Sequence, residues 1–197
     1  NVEHAMKGKL DAFHSLYDAA RAHPEVSFDF YANPLCCFVL HYRNAKHHNH
    51  AHGVRSAHRY ARANGDSEPY LLVDYPAGQE EEGGGFIDHY VSWADFCTYL
   101  QTLPTHRRQH AEDLIRPYIS AGDFEKFAHE SGYSKSQIFV NVVPIIIGAG
   151  SECIGKIKSN ITTDSVEAQH FLWHFQSVGM ADFKNPNYQE LQSDFFR

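Results

Sequence analysis

The chain is poor in cysteine, methionine and tryptophan, with 4, 2 and 2 of them among 197 residues. Cys36, Cys37, Cys97 and Cys153 are too few and too irregularly spaced for the disulfide framework of a small secreted domain, so a cytoplasmic or other reducing intracellular setting is expected. Long hydrophobic runs are also lacking. The longest, Val142 to Ile147, falls far short of the roughly 20 apolar residues that cross a bilayer. The opening Asn-Val-Glu-His-Ala-Met-Lys has no initiator Met and neither region of a signal peptide, as a processed or trimmed product would. Excess positive charge is missing too: the formal net charge is −7, which argues against indiscriminate nucleic-acid coating while permitting a local basic site. The triplet Asn160-Ile161-Thr162 has the form of a glycosylation acceptor, but the cysteine usage points away from the secretory route.

What is present is apolar and aromatic. Hydrophobic residues make up 43% of the chain and charged ones 21%, with 14 Phe and 11 Tyr, a composition that buries a core and is far from that of disorder. The length suits one domain over residues 1–197, with no repeat or linker to divide it. Met6, Leu10, Phe13, Leu16, Tyr17 and Ala20 recur at three- and four-residue spacing and predict an opening amphipathic helix that ends at His23-Pro24. Residues 26–32 and 35–43, rich in aromatic and β-branched types, read as strands around an Asn33-Pro34 turn.

Further along, a helix is expected over 51–63, stopped by Asn64-Gly65, and then strands over 70–75 and 86–91 joined as a long hairpin by a Glu/Gly-rich loop. Helices are expected from Ser92 to Leu103, Thr105 to Arg116 and Asp123 to Glu130. Residues 138–147 read as a buried strand, Asp164 with Glu167 as a capping box before a helix to Val178, and the end as a short helix after Asn185-Pro186. The expected fold class is α+β, one compact domain with a mixed or antiparallel sheet packed by several helices.

Three stretches carry residues suited to chemistry. His47, His48, His50 and His52 place four imidazoles in six residues, and His48 with His52 has the spacing that puts two metal-ligating nitrogens on one helical face. On a helix over 51–63, His48, His52, Arg55, Arg59 and Arg62 form one stripe, with His58 among the small residues of another face. Guanidinium groups repel a bare cation but grip phosphate or carboxylate bidentately. The stripe is therefore open to three readings: an anion site on Arg55, Arg59 and Arg62, a divalent-metal site on His48 and His52, or a solvated cationic face. The His48-Asn49-x-x-His52 spacing resembles a segment of the cyclic-nucleotide phosphodiesterases over the stretch to about Gly65. That family also needs a downstream His-Asp doublet, which is reversed here as Asp88-His89, so its catalytic residues are not carried over.

The second stretch, Gly150 to Lys156, reproduces the G-x-x-x-x-G-K part of a phosphate-cradling loop, with Lys156 as its cation. Ile157 stands where a Mg²⁺-binding hydroxyl is needed, and a Gly-rich turn between elements is the alternative. The third is the expected hairpin, which would set Asp74 beside Asp88 as a carboxylate pair for metal binding or acid–base work, unless a one-residue register slip separates them. The leading expectation is a phosphate-recognising protein, either a binder or an enzyme acting on a nucleotide or nucleic acid, with His48, His52 or His58 orienting substrate or moving protons. The alternatives are a divalent-metal-dependent hydrolase on Asp74, Asp88 and histidines, and a noncatalytic, pH-sensitive assembly protein.

Overall fold

The computed structural model describes residues 2–48, 53–64, 68–76, 88–160, 164–177 and 179–191, with backbone only at 48, 63, 64, 167, 171, 174, 176 and 177. Among these residues it contains helices α1 (Val2–Ala22), α2 (Pro34–His48), α3 (Ala57–Asn64), α4 (Trp93–Gln101), α5 (Thr105–Tyr118), α6 (Ala121–Glu130), α7 (Val143–Ile157) and α8 (Val166–Ser177), and strands β1 (Tyr70–Asp74), β2 (Tyr90–Ser92), β3 (Ile138–Asn141) and β4 (Asn187–Leu191). The strands form one mixed sheet in the order β2-β3-β1-β4, with β1 and β3 parallel and the two outer pairings antiparallel. The expected α+β class is thus the one observed.

α1 forms as its periodicity predicts, burying Met6, Leu10, Phe13 and Ala20 along one stripe. At Asn33-Pro34 the chain enters α2, where a strand was expected. The Asn33 side-chain oxygen accepts from the N–H groups of Leu35 and Cys36 at 3.1 and 3.0 Å, and its carbonyl accepts from Cys37 at 2.8 Å. Asn33 is therefore an N-cap, followed by a proline whose fixed φ suits the first helical turn. Every residue from Leu35 to Tyr42 is buried, since α2 packs against α1, α4, α5 and α7. A helix covered all round shows no apolar stripe, and its run of Cys, Phe, Val and Leu matches that of a buried strand.

The same ambiguity governs residues 138–147. Only Ile138–Asn141 is strand, and the chain turns directly into α7, with Pro144 in its first turn. The expected phosphate loop therefore lies inside a helix. Gly148 and Gly150 serve close packing: a Cβ at Gly148 would sit 2.7 Å from Leu35 Cδ1 of α2, and one at Gly150 2.2 Å from Phe175 Cε1 of α8. The expected terminal helix is also corrected, because residues after Asn185-Pro186 pair with β1 as β4.

The sheet buries two unlike faces, as alternation along its strands requires. Leu71, Val73, Val91, Ile138 and Val140 face the main helical core. Tyr70, Leu72 and Phe139 face α3, meeting Ala57, Ala61 and the half-buried Tyr60. Tyr60, Tyr70 and Phe139 pack edge to face with ring centroids 5.1 to 5.9 Å apart.

His41 lies within the main core on α2, 6% exposed, with Nδ1 3.4 Å from the Tyr99 hydroxyl. Burial, with the His110 and Arg107 charges, pushes its pKa down to about 4. An unfolded chain takes up this proton near ~6.5, so the unfolded state binds more protons throughout the interval below that value and stability falls as pH falls. Urea unfolding is expected to show a loss on the order of 3 kcal/mol between pH 6.5 and 4, flattened in His41→Phe. Asn33→Ala is expected to lower the urea midpoint by about 1 kcal/mol equivalent at unchanged slope, through loss of the α2 cap.

Candidate functional site

A polar row crosses the sheet at the C-terminal ends of its parallel strands. Val73 pairs with Val140, so Asp74 and Asn141 are the next residues on β1 and β3, and Asn141 pairs in turn with Tyr90 of β2. Asp88 lies two residues before Tyr90 and shares its side of the sheet by the same alternation. The row stands on the α3 face, beyond Leu72 and Phe139.

Asn141 organises this row. It is 1% exposed, and its Nδ2 donates to Asp74 Oδ1 at 2.9 Å and to Asp88 Oδ1 at 2.8 Å. Its Oδ1 accepts from the backbone N–H groups of His89 at 3.2 Å and Val143 at 3.1 Å. Both amide hydrogens and both oxygen lone pairs are thereby engaged. The reverse amide orientation would set oxygen against two carboxylates and nitrogen against two N–H donors, so the neighbours determine which way it points. Asp74 Oδ1 also accepts from the Tyr75 N–H at 2.8 Å.

The electrostatics follow from this crowding. Partial burial of its carboxyl and the nearby Asp74 charge raise the Asp88 pKa, against the lowering effect of the Asn141 hydrogen bond. Burial and the two carboxylates raise that of Tyr90 well above the ordinary phenol range, so its ring keeps its O–H. The row abuts the start of α7, whose positive end favours negative charge. Asp74 and Asn141 close the parallel strands β1 and β3, and Asp88 joins them from the segment that enters antiparallel β2.

The structure brings Asp74 and Asp88 together as expected, but the hairpin that was to do so is absent from the described strands. β3 lies between β1 and β2, and its Asn141 bridges the two acids. The connecting residues 77–87 lie outside the described part. His89 points the opposite way and is buried, its Nε2 3.4 Å from the Tyr42 hydroxyl; burial lowers its pKa.

The His/Arg stripe is not formed. α3 begins at Ala57, because Ser56 bridges to Val91 of β2 and Arg55 accepts the Ser92 N–H at its carbonyl. Arg55 lies before the helix and is held by Asp95 of α4, with Nε 2.7 Å from Oδ2 and Nη2 2.7 Å from Oδ1. It also lies over the Tyr60 ring at 4.5 Å. The pairing raises its pKa and commits its guanidinium to structure. Arg59, Arg62 and His58 are exposed on α3, whereas His48 closes α2. The side chain of His48 and all of His52 lie outside the described residues, so the expected metal pair does too.

Lys156 is exposed at the end of α7, beside an open groove of about 590 Å³ whose acidic lining includes Glu25 and Asp29. It is remote from any glycine loop because Gly150 to Lys156 are helical. Arg59 instead lines a 260 Å³ cleft between α1, α2 and α3 with Lys7, Lys46, His47 and Glu3 above Met6 and Leu10. Within it, Lys46 pairs with Glu3 at 3.1 Å, and His47 pairs with Asp11 at 2.7 Å. Among the described residues no group of three or more His, Cys, Asp and Glu side chains could hold a metal ion.

No family model matches the chain. Curated proteins and solved structures likewise give no significant match.

Asn141 escaped the sequence reading because it lay in the middle of an expected strand. The available signal was the pair of segments Tyr-Leu-Leu-Val-Asp and Ile-Phe-Val-Asn, each an apolar strand closed by a short polar residue. Asn141→Leu would leave two backbone N–H groups unpaired and two carboxylates without their shared donor. Its expected cost is about 3 kcal/mol at pH 8 and less at pH 4, because removing the lowering hydrogen bond lets Asp88 protonate more readily. Adding Asp88→Asn should recover part of the loss in a double-mutant cycle read by urea unfolding.

Proposed function

We propose that this chain is a hydrolase of phosphate esters whose chemical centre is Asp74 and Asp88, with a hydrated divalent cation of the Mg²⁺ class held by the two carboxylates. The supporting observation is their convergence on Asn141 at the C-terminal ends of β1 and β3. Two carboxylates without a third protein ligand suit Mg²⁺, which keeps several waters and completes its shell with substrate phosphate oxygens. They do not suit Zn²⁺, which takes three or four protein ligands.

In this reading Asp74, whose Oδ1 already receives two N–H groups, is the fixed ligand. Asp88, with its raised pKa, is the adaptable one. Asp74 and Asp88 would hold the cation, which would supply polarisation of a phosphoryl oxygen and activation of water. Tyr90 supplies an O–H donor because its phenol stays protonated beside the acids. Phosphate recognition by the original arginine trio is replaced by coordination at this centre.

Manganese titration of chelator-stripped protein by electron paramagnetic resonance, with p-nitrophenyl phosphate, its bis ester and a nucleotide panel as substrates, tests the proposal. One Mn²⁺ is expected to bind in a His48→Gln/His52→Gln background, and hydrolysis should follow occupancy. Asp74→Asn and Asp88→Asn should each weaken binding by roughly 100-fold or more. Undiminished Mn²⁺ binding in both Asp variants would overturn the cation site. Binding without turnover on the whole panel would overturn the hydrolase and favour the noncatalytic reading.

A further inference from the structure

Cys36 on α2 and Cys153 on α7 meet in the core with their Sγ atoms 3.4 Å apart. Both are fully buried, and the Cys36 thiol also lies 3.7 Å from the Ala149 carbonyl oxygen, to which it donates. The two helices are held close at this point. Leu35, adjacent to Cys36, occupies the space that a Cβ on Gly148 would need. Asn33, the cap of α2, donates from Nδ2 to Glu152 Oε2, adjacent to Cys153, at 3.4 Å.

We propose that Cys36 and Cys153 are a disulfide-forming pair, closed by a low-molecular-weight disulfide such as glutathione disulfide while the chain folds or opens locally. A disulfide needs its sulfurs ~2.05 Å apart, so the 3.4 Å contact leaves about 1.4 Å between them to close. One cysteine, as thiolate, attacks a sulfur of the oxidant, forming a mixed disulfide and releasing one glutathione thiolate. The second cysteine attacks the protein sulfur of that mixed disulfide and releases the other. The two cysteine protons pass to the two released glutathione thiolates, giving two thiols, so the pair loses two electrons and the oxidant gains them.

The pairing is selective. Position sets it: Cys36 Sγ meets Cys153 Sγ on α7, whereas Cys37 is the next residue of α2 and Cys97 lies half-buried on α4. Native burial also protects the two thiols from oxidant, which places closure in folding or in transient opening. A chain folded under reducing conditions keeps them as thiols. A chain folded under oxidising conditions acquires a tie between positions 117 residues apart, which limits the unfolded state strongly. This proposal is independent of the hydrolase reading.

The test is refolding of the full chain in a glutathione redox buffer, followed by alkylation, intact mass, peptide mapping and thermal unfolding. The expected product is lighter by two hydrogens, carries a Cys36–Cys153 linked peptide, and melts about 10 °C higher than the reduced chain, reversibly with dithiothreitol. Cys153→Ala should abolish the linkage, and Cys36→Ala provides the same test should that variant fail to fold. The Cys37→Ala/Cys97→Ala double variant should retain it. Full alkylation of both cysteines after oxidative refolding, a different pairing, or a lower melting temperature would overturn the proposal.

Discussion

The four hydrogen bonds of the Asn141 amide are the constraint on which the polar end of the sheet depends. One side of the amide reaches across two carboxylates, and the other ties the segment before β2 to the first turn of α7. Each bond alone is worth about 1 kcal/mol, but leaving any of these buried groups without its partner costs more. The same residue thus settles three questions: how closely the two acids approach, where β3 ends, and how α7 departs from the sheet. A shorter or apolar side chain would answer none of them.

From that anchor the architecture continues on either side. α7 runs away from the row and lies against α2, a helix with no solvent face over Leu35 to Tyr42. α2 returns toward the site through Tyr42, whose hydroxyl meets His89 next to Asp88. On the opposite face, α3 covers Tyr70, Leu72 and Phe139, and is pinned in place by the Ser56 bridge and the Arg55–Asp95 pair. The charges that looked available for ligand in the sequence are therefore divided. Arg55 is structural, and Arg59 looks into a separate cleft.

Elements with one apolar stripe were legible in the sequence, and elements without one were not. α1 and α8 declared themselves by spacing and α4 by its Ser92 cap, whose Oγ accepts the Asp95 N–H; at α5 the expected cap Thr105 is already helical behind Pro104, and at α8 the Ala168 N–H is taken by Ser165 in place of Asp164. α2 and the first part of α7 are buried on all sides, so their apolar runs carried no period to separate helix from strand. Asn33-Pro34 held the deciding information, since an Asn followed by Pro serves a helix start as well as a turn. Asp74 and Asp88 were expected on adjacent strands of a hairpin, whereas β3 separates those strands and the two acids meet through its Asn141. A bridge from a strand more than fifty residues further along the chain leaves no local trace. The alignment of Arg55 with Arg59 and Arg62 was lost for a comparable reason: Ser56 belongs to a β-bridge, so Arg55 lies before the helix that carries the other two.

The placement of β1 also determines the order in which the sheet can assemble. Both of its partners, β3 and β4, follow it in sequence, and the described residues between β1 and β3 contain β2, three α-helices and a short 3-10 turn. Tyr-Leu-Leu-Val therefore emerges early with two open hydrogen-bonding edges and must wait for distant segments to close them. Such non-local pairing slows folding and exposes an apolar strand to intermolecular pairing in the meantime. An interior strand of the finished sheet is thus an unpaired apolar segment until the later strands arrive.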